Sequence, residues 1–302
     1  MAMPTNIGII DTMMGTRAGA TAKEQNYAFL RQGQLKDAES QNMNFPAQYM
    51  FKDVPFSDQA RDASGPVDEP VQGADLLLPQ MDKWGIERAM VGVSPANVIA
   101  QKTIADHPDR FFGAYEFDPN KGMDDIRTLV HMHEVYGIKA ATAFPAGYLP
   151  QVPINDKKMY PFYAKCVELD IPVFVQGGVP GPRVPMAAQH PGLVDEVCYD
   201  FPDLRFVFRH GCEPWVALTV KLLLKWPNLY YSTTAFAPRY YPREIIDYAN
   251  TRGADKVMYG GYYPWGFELE RIFRELEQVD FRDDVWPKFL RDNAARVLGL
   301  DR

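Results

Sequence analysis

No strongly basic run interrupts the 302 residues, whose formal net charge is −7. Nucleic-acid binding therefore has no electrostatic footprint here, and the acidity reads as a contribution to solubility. Cysteine is scarce. Cys166, Cys198 and Cys212 are odd in number and form no CxxC pair, which argues against a disulfide framework or a zinc ribbon. No apolar run reaches the roughly 18 residues that a membrane span needs. The N-terminus lacks the charged, apolar and small-residue succession of a signal peptide, so a cytoplasmic location is the expectation. No GxGxxG follows any strand-like run, and no phosphate-cradling motif occurs. What remains is ordinary globular composition, 46% hydrophobic and 24% charged. It is long enough for one α/β barrel with an insertion.

The apolar residues fall into eight short runs. They are Ile7 to Asp11, Arg88 to Val93, Phe111 to Glu116, Gly137 to Thr142, Ile171 to Gln176, Arg205 to Arg209, Leu229 to Thr233 and Lys256 to Tyr259. Nearly every position in them is apolar, as strands covered on both faces require. Helix-period stretches lie between them. Asp156 to Leu169 is one, with Asn155 and Asp156 supplying cap chemistry, and Glu213 to Trp226 is another, with Pro214 suited to its first turn. Eight β–α alternations predict parallel strands with helical crossovers, hence a (β/α)8 TIM-type barrel. Residues 12–72 break the rhythm and predict a long insertion after strand 1, over the C-terminal face where such barrels build their sites.

Four of the five histidines have undemanding explanations. His131 and His133 fall on a predicted helix, where an i, i+2 pair sits about 200° apart and cannot share an ion. His107 and His190 each precede a proline at a helix boundary. His210 differs: it ends a buried strand, is followed by Gly211, and occupies the strand tip where barrel enzymes keep catalytic groups. Its chemistry suits a general base. Aromatic residues crowd the predicted site loops, namely Phe144, Tyr148, Tyr230, Tyr231, Phe236, Tyr240, Tyr241, Tyr262, Tyr263 and Trp265. They suit an aromatic substrate, with half expected to serve as core.

Motifs along nearly the whole chain resemble the amidohydrolase-related family, in the branch with aminocarboxymuconate semialdehyde decarboxylase and resorcylate-type decarboxylases. They include Pro108-Asp109-Arg110-Phe111-Phe112-Gly113, Tyr136-Gly137-Ile138-Lys139, Glu168-Leu169-Asp170-Ile171-Pro172-Val173 and the closing Asp292-Asn293-Ala294-Ala295-Arg296-Val297-Leu298-Gly299-Leu300. The resemblance implies one barrel domain over 1–302 and a metal site whose ligands have been replaced. Where the family has Asp-x-His-x-His, this chain has Asp11-Thr12-Met13-Met14-Gly15. Gln176 stands for the strand 5 histidine, and Tyr262 for the strand 8 aspartate. His210 alone survives, so neither a tightly bound metal nor another cofactor is expected.

The stretch from Ala235 to Pro242, with Gly260-Gly261-Tyr262-Tyr263-Pro264, is further similar to aryl β-ketoacyl-CoA hydrolases. That implies a metal-independent hydrolase of C–C or thioester bonds, acting on an aromatic acid or acyl-CoA. His210 would be the base, Tyr262 a donor to the oxyanion and Gln176 an orienting group. Met13, Arg183, Arg209, Phe144, Tyr263 and Trp265 are the expected substrate contacts, the arginines for anionic groups. Strand alternation sets Arg209 and His210 on opposite sides, so a carboxylate between barrel and helices is an equal alternative for Arg209. Two alternatives to the hydrolase follow from the resemblance. One is a decarboxylase or hydratase of an aromatic acid. The other is a catalytically silent subunit partnering a metal-bearing paralogue, and the resemblance implies a homodimer or such a hetero-oligomer.

Overall fold

A computed structural model describes residues 3–17, 27–51 and 71–300. Eight strands, β1 (Ile9–Met14), β2 (Ile86–Gly92), β3 (Phe111–Glu116), β4 (Ala140–Ala143), β5 (Val173–Gln176), β6 (Phe206–Arg209), β7 (Leu229–Ser232) and β8 (Val257–Met258), pair in sequence order. Every pairing is parallel. Each expected run overlaps a strand, and the architecture is the TIM barrel that the alternation predicts. β1 runs further than expected, to Met14, which carries the positions of the replaced ligands onto the strand itself.

The barrel closes through the segment after β8. Met14 bridges Tyr263, the Gly15 amide donates to the Tyr263 carbonyl at 2.9 Å, and the Tyr262 amide donates to the Met13 carbonyl at 3.1 Å. Asp11 reinforces the seam, because its Oδ1 accepts from the amides of Met13 and Gly261, each at 2.9 Å. Across the lumen the Thr12 and Ser232 hydroxyls meet at 2.9 Å.

Strand period decides what lines the lumen. Ile10, Met90, Phe112, Phe174, Val207 and Met258 point inward and pack on Ala294, Ala295, Val297 and Leu298 of helix Asn293–Leu298, which stoppers the N-terminal end. The alternate residues, such as Val91, Val175, Phe208 and Tyr231, face the surrounding helices. The lumen is thus filled below and open only at the C-terminal end.

Two helices start later than their sequence suggests. One spans Tyr160–Glu168, because Asp156 Oδ1 accepts from the Lys158 amide in a turn before it, while Asn155 bonds Glu196. The other spans Val216–Lys225, because a turn from Cys212 to Trp215 takes up Glu213 and Pro214. His131 and His133 do lie on a helix, Met123–Tyr136. His107 follows helix Val98–Asp106 as its C-cap, and His190 Nδ1 accepts from the Gly192 amide. Among the described residues no helix is long and apolar enough to cross a membrane.

Asp11 is fully enclosed, and burial pushes its carboxyl up to about 7 against the two amides that favour the charged form. The folded protein therefore holds a proton that the unfolded chain has released between pH 3.8 and about 7, and stability falls as pH rises through that window. Asp11→Asn keeps the acceptor oxygen without the charge. Its thermal midpoint should equal or exceed wild type at neutral pH, with the advantage shrinking as pH falls toward 3.8. Parallel melting curves across that range check this.

Candidate active site

The open end of the barrel leads into a cavity of about 930 Å³. Its base is set by the last inward positions of β1 to β6: Thr12, Gly92, Glu116, Thr142, Gln176 and Arg209 all line it. Much of its roof comes from the insertion after β1, through Tyr27, Phe29, Leu30, Phe45, Ala47, Met50 and Phe51. The rest of residues 12–72 includes 18–26 and 52–70, which lie outside the described residues. The loop after β5 is tied to this roof. Arg183 Nη1 binds Asp37 and Glu39, each at 2.8 Å, and the Tyr49 hydroxyl donates to the Gly181 carbonyl at 2.7 Å.

Arg209 is a charged group set in the mouth. It is buried, its Nη2 lies 2.9 Å from Glu116 Oε2, and its Nη1 lies 3.9 Å from the Met13 sulfur. The partner carboxylate therefore lies inside the mouth at the end of β3, not between barrel and helices. His210 shares the cavity despite strand alternation, because its φ of 65° turns the backbone out of the strand. Thr234 Oγ1 holds it twice, accepting from the His210 amide and contacting Nδ1, each at 2.9 Å. Nε2 is left as the ring nitrogen available to the cavity. Burial, and then the Arg209 charge, hold the imidazole well below its ordinary range, so it is neutral.

Among the described residues, three of the four non-glycine residues with positive φ, His210, Ala235 and Tyr262, line this cavity. Such conformations cost about 1–3 kcal/mol each and collect where a side chain must be aimed. Tyr262 stacks on Phe51 at 5.9 Å and meets the His210 ring edge-on at 5.3 Å. Burial pushes its phenol up to about 12, so it remains a hydrogen-bond donor at any physiological pH. On β1, a register shift between Asp11 and Met14 lets Thr12, Met13 and Met14 all reach the lining.

Of the residues singled out from sequence, His210, Tyr262, Gln176, Met13, Arg209, Phe144 and Trp265 come together around the cavity. Arg183 does not: it is exposed and already bound to two carboxylates. Nor does Tyr263, whose side chain is buried in the helix-facing core. Of the ten crowded aromatics, Phe144, Phe236, Tyr240, Tyr262 and Trp265 line the cavity, and the others do not. Strand parity could have found Glu116, two residues beyond inward-facing Ala114. Nothing local marks Arg17 or Gln189, which the loops bring to the cavity, or Thr234, which holds His210.

A divalent ion does not suit these residues. Among the described residues no three His, Cys, Asp or Glu side chains converge. The neighbours of His210 offer a thioether, an amide and a phenol, and the Glu116 carboxylate is taken by Arg209. Gly15 leaves no room for a larger ligand, because a Cβ there would lie 2.5 Å from the Trp265 ring.

The sequence profile of the amidohydrolase family matches residues 40–300. No curated protein matches the chain by sequence. Among solved structures, an uncharacterised TIM-barrel protein from Bordetella bronchiseptica is similar at TM-score 0.71 and 23% identity, covering 97% of this chain and 99% of its own. A 5-carboxyvanillate decarboxylase from Novosphingobium aromaticivorans, with bound manganese, is similar at TM-score 0.69 and 14% identity, with 98% of each chain covered. A 4-oxalomesaconate hydratase from Rhodopseudomonas palustris is similar at TM-score 0.61 and 19% identity, covering 97% of this chain and 96% of its own.

The ion pair has unequal partners, since the Arg209 side chain is 6% exposed and that of Glu116 is 41% exposed. Glu116→Gln strands a buried cation, whereas Arg209→Met leaves a carboxylate that water can reach. Chemical denaturation should find Glu116→Gln less stable than Arg209→Met by about 1 kcal/mol or more.

Proposed function

Because the chain belongs to the amidohydrolase family, we propose that it is an enzyme that adds water to a small, apolar, conjugated or ring-bearing acid without a tightly bound metal. The observation that carries this is the pairing, in one cavity, of a neutral histidine with a fixed guanidinium. A histidine kept neutral is a base, and water is the proton source within its reach.

In this mechanism His210 Nε2 takes a proton from water as the oxygen bonds to an electrophilic carbon of the substrate. The displaced π pair moves onto the conjugated carbonyl as an enolate, where Arg209 and the Tyr262 hydroxyl stabilise the oxyanion. The imidazolium returns the proton to carbon, and the sum is addition of one water. Gln176 orients the substrate or the water. No step passes through a metal, since the donor set does not suit one. The aromatic residues of the lining accommodate the apolar body of the substrate.

The comparisons favour hydration or decarboxylation over the β-ketoacyl hydrolysis expected from sequence, and the neutral state of His210 favours hydration. Decarboxylation is the second reading. It draws on Tyr262, whose phenol stays protonated and could supply the proton that replaces carbon dioxide. A silent subunit has no use for three strained residues aimed at an open cavity.

A panel of conjugated and aromatic carboxylic acids, followed by mass spectrometry, separates the readings: gain of water supports the first and loss of carbon dioxide the second. Absence of turnover across the panel counts against both. His210→Ala should lower turnover about 10²–10⁴-fold, and prior dialysis against a chelator should leave the wild-type rate unchanged. The His210 pKa is lowered, so the base stays competent as pH falls through 6.5. A rate profile losing half its activity at that ordinary histidine value would contradict the assignment.

A further inference from the structure

Three arginines line the cavity, and two of them are compensated. Arg209 binds Glu116 at 2.9 Å, and Arg271 binds Glu275 at 3.0 Å. The third, Arg17, is not. It is 3% exposed, its Nε has no hydrogen-bond partner, burial lowers its pKa, and among the described residues no acid pairs with it. Its backbone is held, because the Thr16 carbonyl accepts from the Gly73 amide at 2.8 Å at the head of helix Ala74–Trp84. Among the described lining residues this leaves one uncompensated positive charge in a lining of mixed apolar and neutral polar side chains.

A buried guanidinium without a counter-charge lowers the stability of the protein that carries it. Its planar fork matches a carboxylate bidentately. We propose that Arg17 is the anion-binding residue of this cavity and selects ligands with a single carboxylate on an apolar, ring-bearing body. The carboxylate at Arg17 compensates the charge while Arg209, already neutralised by Glu116, remains free to act on a developing oxyanion. This rests on the cavity being the substrate site, as proposed above, and adds the group by which the substrate is held.

Benzoate and its neutral isostere benzamide are the probes, and thermal shift and calorimetric titration of the full chain are the readouts. Wild type should bind benzoate and be stabilised by it, and should bind benzamide about 10-fold or more weakly. Arg17→Met should lose about 10- to 100-fold in benzoate affinity, while Arg17→Lys keeps part of it. Without ligand, Arg17→Met should melt no lower than wild type, because it removes an uncompensated charge. Equal binding of the two probes, or unchanged benzoate binding by Arg17→Met, would overturn the assignment. So would a markedly lower melting point for ligand-free Arg17→Met, which would mean that an acidic group of the chain already pairs with Arg17. Benzoate binding that depends on Arg17, in a protein with no turnover, would uphold the anion site and reject the proposed reaction.

Discussion

A guanidinium buried in the mouth of a barrel has to be compensated, and Glu116 does so across the lumen at 2.9 Å. Much of the open end is arranged around that pair. It sets a fixed positive charge beside Met13, at a position where the family places a metal-binding histidine. It helps hold His210 neutral, so the base that remains is a base in fact and not a resting imidazolium. It also occupies the Glu116 carboxylate, and among the described residues no three His, Cys, Asp or Glu side chains gather to hold an ion. An arginine and a metal both supply positive charge to a developing oxyanion, but only the metal acidifies a bound water. The proposed reaction therefore calls for a substrate reactive enough to be attacked with a neutral imidazole as the base.

The space once available to ligands is occupied as well as stripped of donors. Gly15 packs under Trp265, Tyr262 stacks on Phe51, and the β5 loop is tied to the insertion by Arg183. The backbone at His210, Ala235 and Tyr262 is held in left-handed conformations to aim those residues at the cavity. Fold is shared through the buried strand pattern, and chemistry is decided by the residues at the strand ends.

The amino-acid sequence by itself determined the barrel, because eight apolar runs with helical spacers have few other ways to be buried. Position at a strand end also pointed to His210, and the resemblance to the family's motifs pointed to Gln176, Tyr262 and Met13. Only the tertiary structure decided the rest. Arg209 reached the mouth because inward parity ran through Val207, and His210 joined it because one residue turned left-handed. Helix starts shifted where turns at Asp156 and Cys212 satisfied the backbone first. Arg183 was drawn to Asp37 and Glu39, partners about 145 positions away, and Arg17 was buried by its surroundings in the fold, far outside any local window. Periodicity encodes which face a residue takes. Whether a charge on that face finds a partner depends on distant segments meeting in space, which no local pattern records.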